Sequence, residues 1–331
     1  MKYISAGWKH VRAFYAKHSK IILTIAGLLL VFYVFIPQLG NLKESLQAAE
    51  AANKTMLFLA VVVFCVGFPI LAAKYCLIAQ YKLRYYLTLQ VQVASAFVSK
   101  LLPMSIGSLT VNTYYLTKES KDVSEAASTM AINAMTSSIA FGIIIIIALI
   151  STWSDISLEH TQHDVNWFRA LLVLIIVSVS IWLISRIKKI RNILHNAWKS
   201  IWGNIKLYRK HPRKVTYGII FNGLGSLTGI TTLYICAHAV GLPVTFPQAI
   251  LSYTMGNIIG SLVPTPGGLG GAEAGLYAGL VFFGYPDNTS LVAVLLYRLI
   301  TYWLPLIPGY MMYHHLRKTT FSTFKLHGGS K

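Results

Sequence analysis

The chain has 331 residues, of which 55% are hydrophobic and only 12% charged, and its formal net charge is +19. A soluble domain carries about 25% charged residues, so this composition, with a mean hydropathy of +0.58, excludes an ordinary soluble protein. The length is therefore better counted in membrane crossings of about 20 apolar residues each.

Basic residues crowd into four short stretches beside apolar segments, and none of these stretches contains an acidic residue. They cover residues 2–20, 74–84, 186–214 and 317–331. This distribution is typical of cytoplasmic loops, and it argues against a nucleic-acid partner. We expect a multi-pass protein of the plasma membrane with both termini in the cytoplasm.

Long apolar segments predict six membrane-spanning helices, at about 21–39, 56–78, 128–151, 168–185, 215–240 and 290–313. The first follows a basic region, but no small-residue cleavage site follows it closely, so we expect an uncleaved span. The loop 152–167 contains acidic residues without Lys or Arg and suits the outer side. The basic loop 186–214 is then cytoplasmic, and it is predicted to lie on anionic lipids as an amphipathic helix.

Two further apolar stretches, at about 86–118 and 247–284, are interrupted midway by Pro and Gly. Each must return to the side on which it starts if the flanking spans are to keep their orientation. Each is therefore a hairpin, made either of re-entrant half-helices or of two short full spans. Irregular backbone at membrane depth is tolerated only where protein or a water-filled cavity surrounds it, so both breaks are predicted to face an internal site.

The two breaks align at one constant offset, which places Pro103 and Gly107 opposite Pro264 and Gly268. Span, hairpin and span thus occur twice, at about 56–151 and 215–313, and the two units face opposite sides. Inverted repeats with interrupted segments indicate a transporter's binding site. We predict an all-α polytopic membrane protein, one membrane domain over residues 1–331, with inverted repeats and two broken, re-entrant helical hairpins.

Glu273 and Arg298 stand out as charged residues in apolar surroundings, where either one costs on the order of 3 kcal/mol on insertion scales. They could bind or gate a substrate, or they could form a salt bridge that only joins hairpin to span. Glu273 could also complement the positive end of a helix that begins near Ala272. These interpretations can coexist.

Four glycines precede that helix, namely Gly267, Gly268, Gly270 and Gly271. They would let unpaired backbone N–H groups approach a lipid phosphate closely. They could equally serve packing, because Gly271, Gly275 and Gly279 recur at the four-residue spacing of a close helix–helix face. Both hypotheses stay open at this point.

Several other polar residues belong to the candidate site or lie near it. Lys100 lies close to the first break and could contact a phosphate or extend to the cytoplasmic interface. Asn112, Asn257 and His238 lie in apolar segments, where an interhelical hydrogen bond is more typical than a ligand contact. No nucleotide-binding loop, metal-binding spacing or cysteine pairing is present in the sequence, so no cofactor is expected.

The string Pro264-Thr-Pro-Gly-Gly-Leu-Gly-Gly-Ala-Glu273 resembles the lysylphosphatidylglycerol synthase transmembrane region, the flippase-like domain of multiple peptide resistance factors. The run Tyr297-Arg298-Leu-Ile-Thr-Tyr302-Trp303-Leu-Pro305 is similar to the last span of that family, which adds Tyr302 to the candidate substrate site. Leu102-Pro103 followed by Gly107-Ser108 is similar to its first motif. The likeness extends from about residue 20 to 315. It departs at 108–112, which is uncharged where the family often has an acidic residue and an Arg.

This resemblance implies the translocating half of such proteins, without the soluble transferase domain that full-length synthases append. The expected function is movement of a phospholipid or a polyprenyl-linked saccharide between leaflets, with the head group in a polar cavity at the two breaks. The alternatives are a membrane-embedded transferase that uses Glu273 as a general base and a non-transporting scaffold for cell-envelope enzymes. The favoured interpretation is therefore not an enzyme, and it is compatible with a homo-oligomer.

Overall fold

The computed structural model describes residues 50, 52–102, 106–152, 212–263 and 265–319. Over these residues the chain forms helices and no β-strand, which confirms the predicted all-α class. The helices are α1 (Lys54–Ile78), α2 (Tyr85–Leu101), α3 (Ile106–Ser120), α4 (Val123–Ser151), α5 (Pro212–Ala239), α6 (Phe246–Leu262), α7 (Gly271–Phe282), α8 (Asp287–Arg298) and α9 (Leu306–Thr319). A π-helical turn (Leu299–Trp303) joins α8 to the region before α9.

Some predicted features lie outside the described residues. They are the spans at 21–39 and 168–185, the acidic loop after residue 152, and the basic loop up to residue 211. Residues 103–105 and Pro264, at the centres of the two predicted breaks, are also outside them. The orientation of the termini stays a prediction.

Within the described part of the chain, four segments are long and apolar enough to cross a membrane: α1, α4, α5 and the continuous stretch from α8 to α9. They match the predicted spans at 56–78, 128–151, 215–240 and 290–313. Their outer faces carry large apolar side chains, and Phe58 and Ile150 are 70% and 71% exposed. Lipid is the solvent that suits such surfaces, and the chain is a polytopic membrane protein.

The pairs α2–α3 and α6–α7 occupy the positions of the two predicted hairpins, and the helices of each pair pack on each other. A glycine allows close approach in both pairs. A Cβ on Gly107 would run into the carbonyl oxygen of Val98, and one on Gly268 would lie 2.7 Å from that of Gly260. Gly107 and Gly268 are the residues that the predicted repeat aligns. The inverted repeat and the re-entrant depth of the pairs stay predictions.

Two apolar clusters hold the helices together. The first joins the beginning of α1, the end of α5, and α6, α7 and α8, and it includes Ala60, Tyr297 and Ile300. The second joins the end of α1 to α2, α3, the beginning of α4 and α9, and it includes Tyr75 and Ile78. Helix α1 therefore passes through both clusters.

Helix α5 runs antiparallel to α1 along its whole length. At one end the N–H of Asn53 donates to the carbonyl of Ala239 over 3.0 Å. At the other end the Lys214 ammonium donates to the carbonyl of Ala79 over 2.7 Å. This cation satisfies a carbonyl at the end of α1, where helix carbonyls lack partners. Residues 212–214, predicted as the end of the basic loop, form the first turn of α5.

The π-helical turn follows Arg298 directly, and its bond from the N–H of Leu304 to the carbonyl of Leu299 is 3.0 Å long. Pro305 has no N–H group, so the carbonyl of Thr301 cannot have its usual α-helical partner. Widened turns of this kind are frequent at functional sites. Here the turn carries Tyr302 and borders the candidate site.

Candidate functional site

A polar cavity of about 550 Å³ lies between the two apolar clusters. Along α1 it extends from Phe64 to Tyr75, between Ala60 of the first cluster and Ile78 of the second. Its volume is in the range of small-molecule sites. Besides three tyrosines, the polar side chains that line it are Lys74, Gln92, Ser95, Ser99, Lys100, Ser108, Asn112, Asn133, Thr228, Asn257, Ser261, Arg298 and Thr301. Among the described lining residues three are cationic and none is acidic.

The guanidinium of Arg298 faces this cavity from the end of α8. Its Nε donates to Oε1 of Glu273 over 2.7 Å, and one Nη donates to the carbonyl of Gly267 over 3.4 Å. The two side chains of the ion pair are 8% and 15% exposed. Two of the five guanidinium N–H donors are used in these bonds, and the group is held in place beside the second break.

Glu273 lies in the first turn of α7, outside the cavity lining. Its second oxygen, Oε2, accepts from the N–H of Gly270 over 2.8 Å. An acid at this position satisfies an unpaired donor and complements the positive helix end. Both structural interpretations of Glu273 are therefore present in one side chain, which joins the start of α7 to Arg298. Glu273 does not line the cavity, but it holds the Arg298 guanidinium that does.

The glycines of the second break have two roles, one in backbone conformation and one in packing. Gly267, Gly268 and Gly270 have φ of +60°, +67° and +82°, a backbone conformation that favours glycine. A Cβ on Gly271 would lie 2.6 Å from Cγ2 of Val263, so this residue is needed for packing. Gly267 and Gly268 line the cavity, whereas Gly270 and Gly271 do not.

Lys100 brings the end of α2 next to the second break. A Cβ on Gly267 would lie 3.3 Å from the Lys100 Cα. The Lys100 ammonium lies 5.5 Å from the ring centroid of Tyr302, and the Arg298 guanidinium carbon lies 4.9 Å from the same centroid. Lys100 lines the cavity, and its contact with a phosphate stays a prediction. Tyr302 is 1% exposed, and its ring makes cation–π contacts with both side chains.

Asn112 joins the two helices of the first pair. Its Oδ1 accepts from Gln92 over 2.8 Å, and its Nδ2 donates to Ser95 over 3.1 Å and to the carbonyl of Ser108 over 2.8 Å. The residue is 4% exposed and lines the cavity. Its amide is thus used between α2 and α3, as the sequence suggested for a polar residue in an apolar segment.

For Asn257 and His238 the sequence favoured an interhelical hydrogen bond over a ligand contact, and the bonds seen in the described residues lie within one helix. The Asn257 amide donates to the carbonyl of Tyr253 over 2.9 Å, and His238 Nδ1 lies 3.0 Å from the carbonyl of Tyr234. Asn257 lines the cavity. The described residues contain no group of His, Cys, Asp and Glu side chains arranged for a metal ion.

Sequence analysis did not single out Lys74 or its partner Asn222. Lys74 had been counted with the cytoplasmic basic residues, but it lies inside α1, is 4% exposed and lines the cavity. Its Nζ donates to Oδ1 of Asn222 over 3.1 Å. The available signal was its position within the predicted span at 56–78, because a lysine inside a span is rare unless it faces a cavity.

Comparisons with known proteins agree with the resemblance carried by the breaks. The family model described as the lysylphosphatidylglycerol synthase TM region matches residues 21–309. A protein described as a UPF0104 membrane protein, from Methanothermobacter thermautotrophicus, is 25% identical over 168 residues. The match covers 49% of this chain and 50% of that protein, so the chain spans about half the length of the curated relative it matches.

Proposed function

The chain belongs to the family of the lysylphosphatidylglycerol synthase TM region, and on this basis we propose that it moves a lipid with an anionic phosphate head group between membrane leaflets. The family indicates a membrane protein with a role connected to lipids. The substrate is therefore a phospholipid or a polyprenyl-linked saccharide. Its head group enters the cavity, and its acyl or prenyl chains stay in the bilayer.

The observation that carries this proposal is the charge of the cavity lining. Lys74, Lys100 and Arg298 line the cavity, and no carboxylate accompanies them among the described lining residues. Of these three cations, only Arg298 forms an ion pair within the described residues. A cation in apolar surroundings without a counter-charge is costly, so an anionic ligand would explain Lys74 and Lys100.

Geometry supports the phosphate at the second break in particular. Lys100 and Arg298 approach the same Tyr302 ring, which brings two cations together beside the second break. Arg298 keeps N–H donors beyond those that bind Glu273 and Gly267. Charge-assisted hydrogen bonds from Arg and Lys to phosphate are among the strongest in proteins.

The transferase alternative depends on Glu273 as a general base, and the geometry gives it no support. Both carboxylate oxygens of Glu273 already accept hydrogen bonds, from Gly270 and from Arg298. The carboxylate also lies outside the cavity lining. A general base must be within hydrogen-bonding reach of the proton that it removes. Glu273 is better described as the residue that positions Arg298.

The test is a leaflet-resolved assay in proteoliposomes with fluorescently labelled phosphatidylglycerol. The wild-type protein should move the label between leaflets, and Lys100→Gln should slow this by roughly ten- to a hundredfold, the equivalent of one charged hydrogen bond. Lys82→Gln is the matched control, because Lys82 is an exposed residue between α1 and α2. It should transport at the wild-type rate. Transport by the wild-type protein no faster than in protein-free vesicles would refute the proposal.

A further inference from the structure

We propose that Lys74 forms a second anion-binding position in the cavity, separate from that at Lys100 and Arg298. This inference rests on the proposed function and adds to it a route with two positions for one phosphate head group. The ligand at Lys74 is a phosphate, carried by a lipid or free in solution. The inference is argued from the burial of Lys74, from the hydrogen-bond partners around it and from the position of Lys74 along α1.

The surroundings of Lys74 form a built site. The Lys74 ammonium donates to Oδ1 of Asn222 over 3.1 Å and lies 4.7 Å from the ring centroid of Tyr75. The other end of the Asn222 amide donates to the Thr136 hydroxyl over 2.9 Å, and that hydroxyl donates to the carbonyl of Ile132 over 2.8 Å. This chain of bonds from α4 through α5 fixes the amide so that its oxygen faces the ammonium.

The charge of Lys74 has no counterpart in the described residues. The side chain is 4% exposed, and its hydrogen-bond partner is a neutral amide. An ammonium has three N–H donors, and the bond to Asn222 uses one of them. A neutral amide satisfies a donor but does not cancel a buried charge. A bound anion would supply both the remaining acceptors and the opposite charge.

Lys74 lies far along the cavity from the position formed by Lys100 and Arg298. Tyr297 and Ile300, on either side of Arg298, belong to the apolar cluster at the beginning of α1. Tyr75, next to Lys74, belongs to the cluster at the end of α1. Cys76, two residues after Lys74, has its Sγ 3.7 Å from the Thr88 hydroxyl in α2. Lys100 lies twelve residues further along that helix, about 18 Å at a rise of 1.5 Å per residue. One phosphate group cannot contact both positions, so the head group must leave one position to reach the other.

A purely structural role and a ligand-binding role for Lys74 predict opposite effects of Lys74→Met on the stability of the protein. If the bond to Asn222 serves to join α1 to α5, then Lys74→Met should lower the melting temperature. If the ammonium serves a ligand, the same change removes an uncompensated buried charge, which outweighs the lost hydrogen bond to the neutral Asn222 amide, and the melting temperature should be unchanged or raised. Lys82→Met is the control for loss of one positive charge at an exposed position.

Calorimetric titration of the purified protein with dihexanoyl phosphatidic acid tests the inference. The wild-type protein should bind two equivalents, Lys74→Met and Lys100→Gln one each, and the double variant none. Lys74→Gln keeps an N–H donor for Asn222 but lacks the charge, so it should bind one equivalent even if Lys74→Met fails to fold. Titration with inorganic phosphate separates the sources. If inorganic phosphate gives a binding heat with the wild-type protein and that heat is lost in Lys74→Met, the position recognises phosphate itself. If only the lipid gives a binding heat, the position recognises the whole head group.

Transport of labelled phosphatidylglycerol separates this inference from the proposed function. Lys74→Gln should slow transport at least tenfold while the Lys82→Gln control does not. Wild-type transport with an unaffected Lys74→Gln variant, or unchanged lipid binding in both Lys74 variants, would overturn the second position alone. Absence of wild-type transport would overturn the proposed function, whatever the binding stoichiometry.

Discussion

At the residue scale, Glu273 and Arg298 form a close ion pair of Nε and Oε1 at 2.7 Å, with little exposure to solvent. Glu273 also accepts from the N–H of Gly270, so one carboxylate joins a helix start to a cavity-facing guanidinium. Removal of one member of such a pair leaves the other buried and unpaired, which is more costly than removal of both. The pair is therefore suited to a double-variant experiment.

We predict that Glu273→Gln lowers the free energy of unfolding by about 3–5 kcal/mol, because Arg298 then loses its counter-charge. The combined variant Glu273→Gln and Arg298→Gln should recover much of this stability, as read from melting temperatures in detergent. Transport should not recover in the combined variant, because the guanidinium is missing from the cavity. Recovery of transport would show that the guanidinium does not serve the substrate.

Sequence alone was sufficient to select Glu273, Arg298 and Lys100, because charges in apolar segments are rare and must have a reason. It was not sufficient for Lys74. That lysine lies at the boundary between an apolar segment and a basic loop, where local composition cannot tell a buried ammonium from an interfacial one. Its burial depends on Asn222, which is distant in the sequence.

At the scale of helices, the contact between α6 and α7 depends on missing side chains. A Cβ on Gly275 would lie 2.5 Å from the carbonyl oxygen of Met255, and one on Gly279 would lie 2.5 Å from the Cα of Ser252. Small residues that let backbones approach are the usual means of helix packing in membranes. The predicted four-residue spacing of glycines thus has a packing function in this pair.

We predict that Gly275→Ala destabilises the protein by about 1–3 kcal/mol, the usual cost of overpacking a tight interface. Gly142→Ala is the matched control, because a Cβ at Gly142 in α4 would meet nothing within 4 Å. This control should be neutral or stabilising by up to about 1 kcal/mol, since alanine is the better helix former. Equal melting temperatures for the two variants would contradict the packing assigned to Gly275.

Helix positions were predictable because apolar length and Pro–Gly interruptions are local features. The pairs α2–α3 and α6–α7 begin and end close to the predicted hairpins at 86–118 and 247–284. The π-helical turn at Leu299–Trp303 was not predicted. The turn adds one residue to a single helical turn before Pro305. The apolar composition of the segment does not indicate such a change in helix period.

At the scale of the whole molecule, the cavity is formed by helices that are far apart in the sequence. Its three cations come from α1, α2 and α8, and its wall separates two apolar clusters. A polar cavity at the two breaks was predicted, but its set of three cations was not, because that set depends on which helix faces pack together. The sequence predicted a site between two breaks, and the structure brings Lys100 and Gly267 together there.

The charge selectivity of lipid movement tests the central claim most directly. Proteoliposomes that contain the wild-type protein would be loaded in parallel with labelled phosphatidylglycerol and with a labelled lipid of cationic head group, and the rates compared. A cavity with three cations and no carboxylate among its described lining residues should move the anionic lipid at least tenfold faster, and Lys100→Glu should reduce or reverse this preference. Equal rates for both lipids, unchanged in Lys100→Glu, would contradict the account.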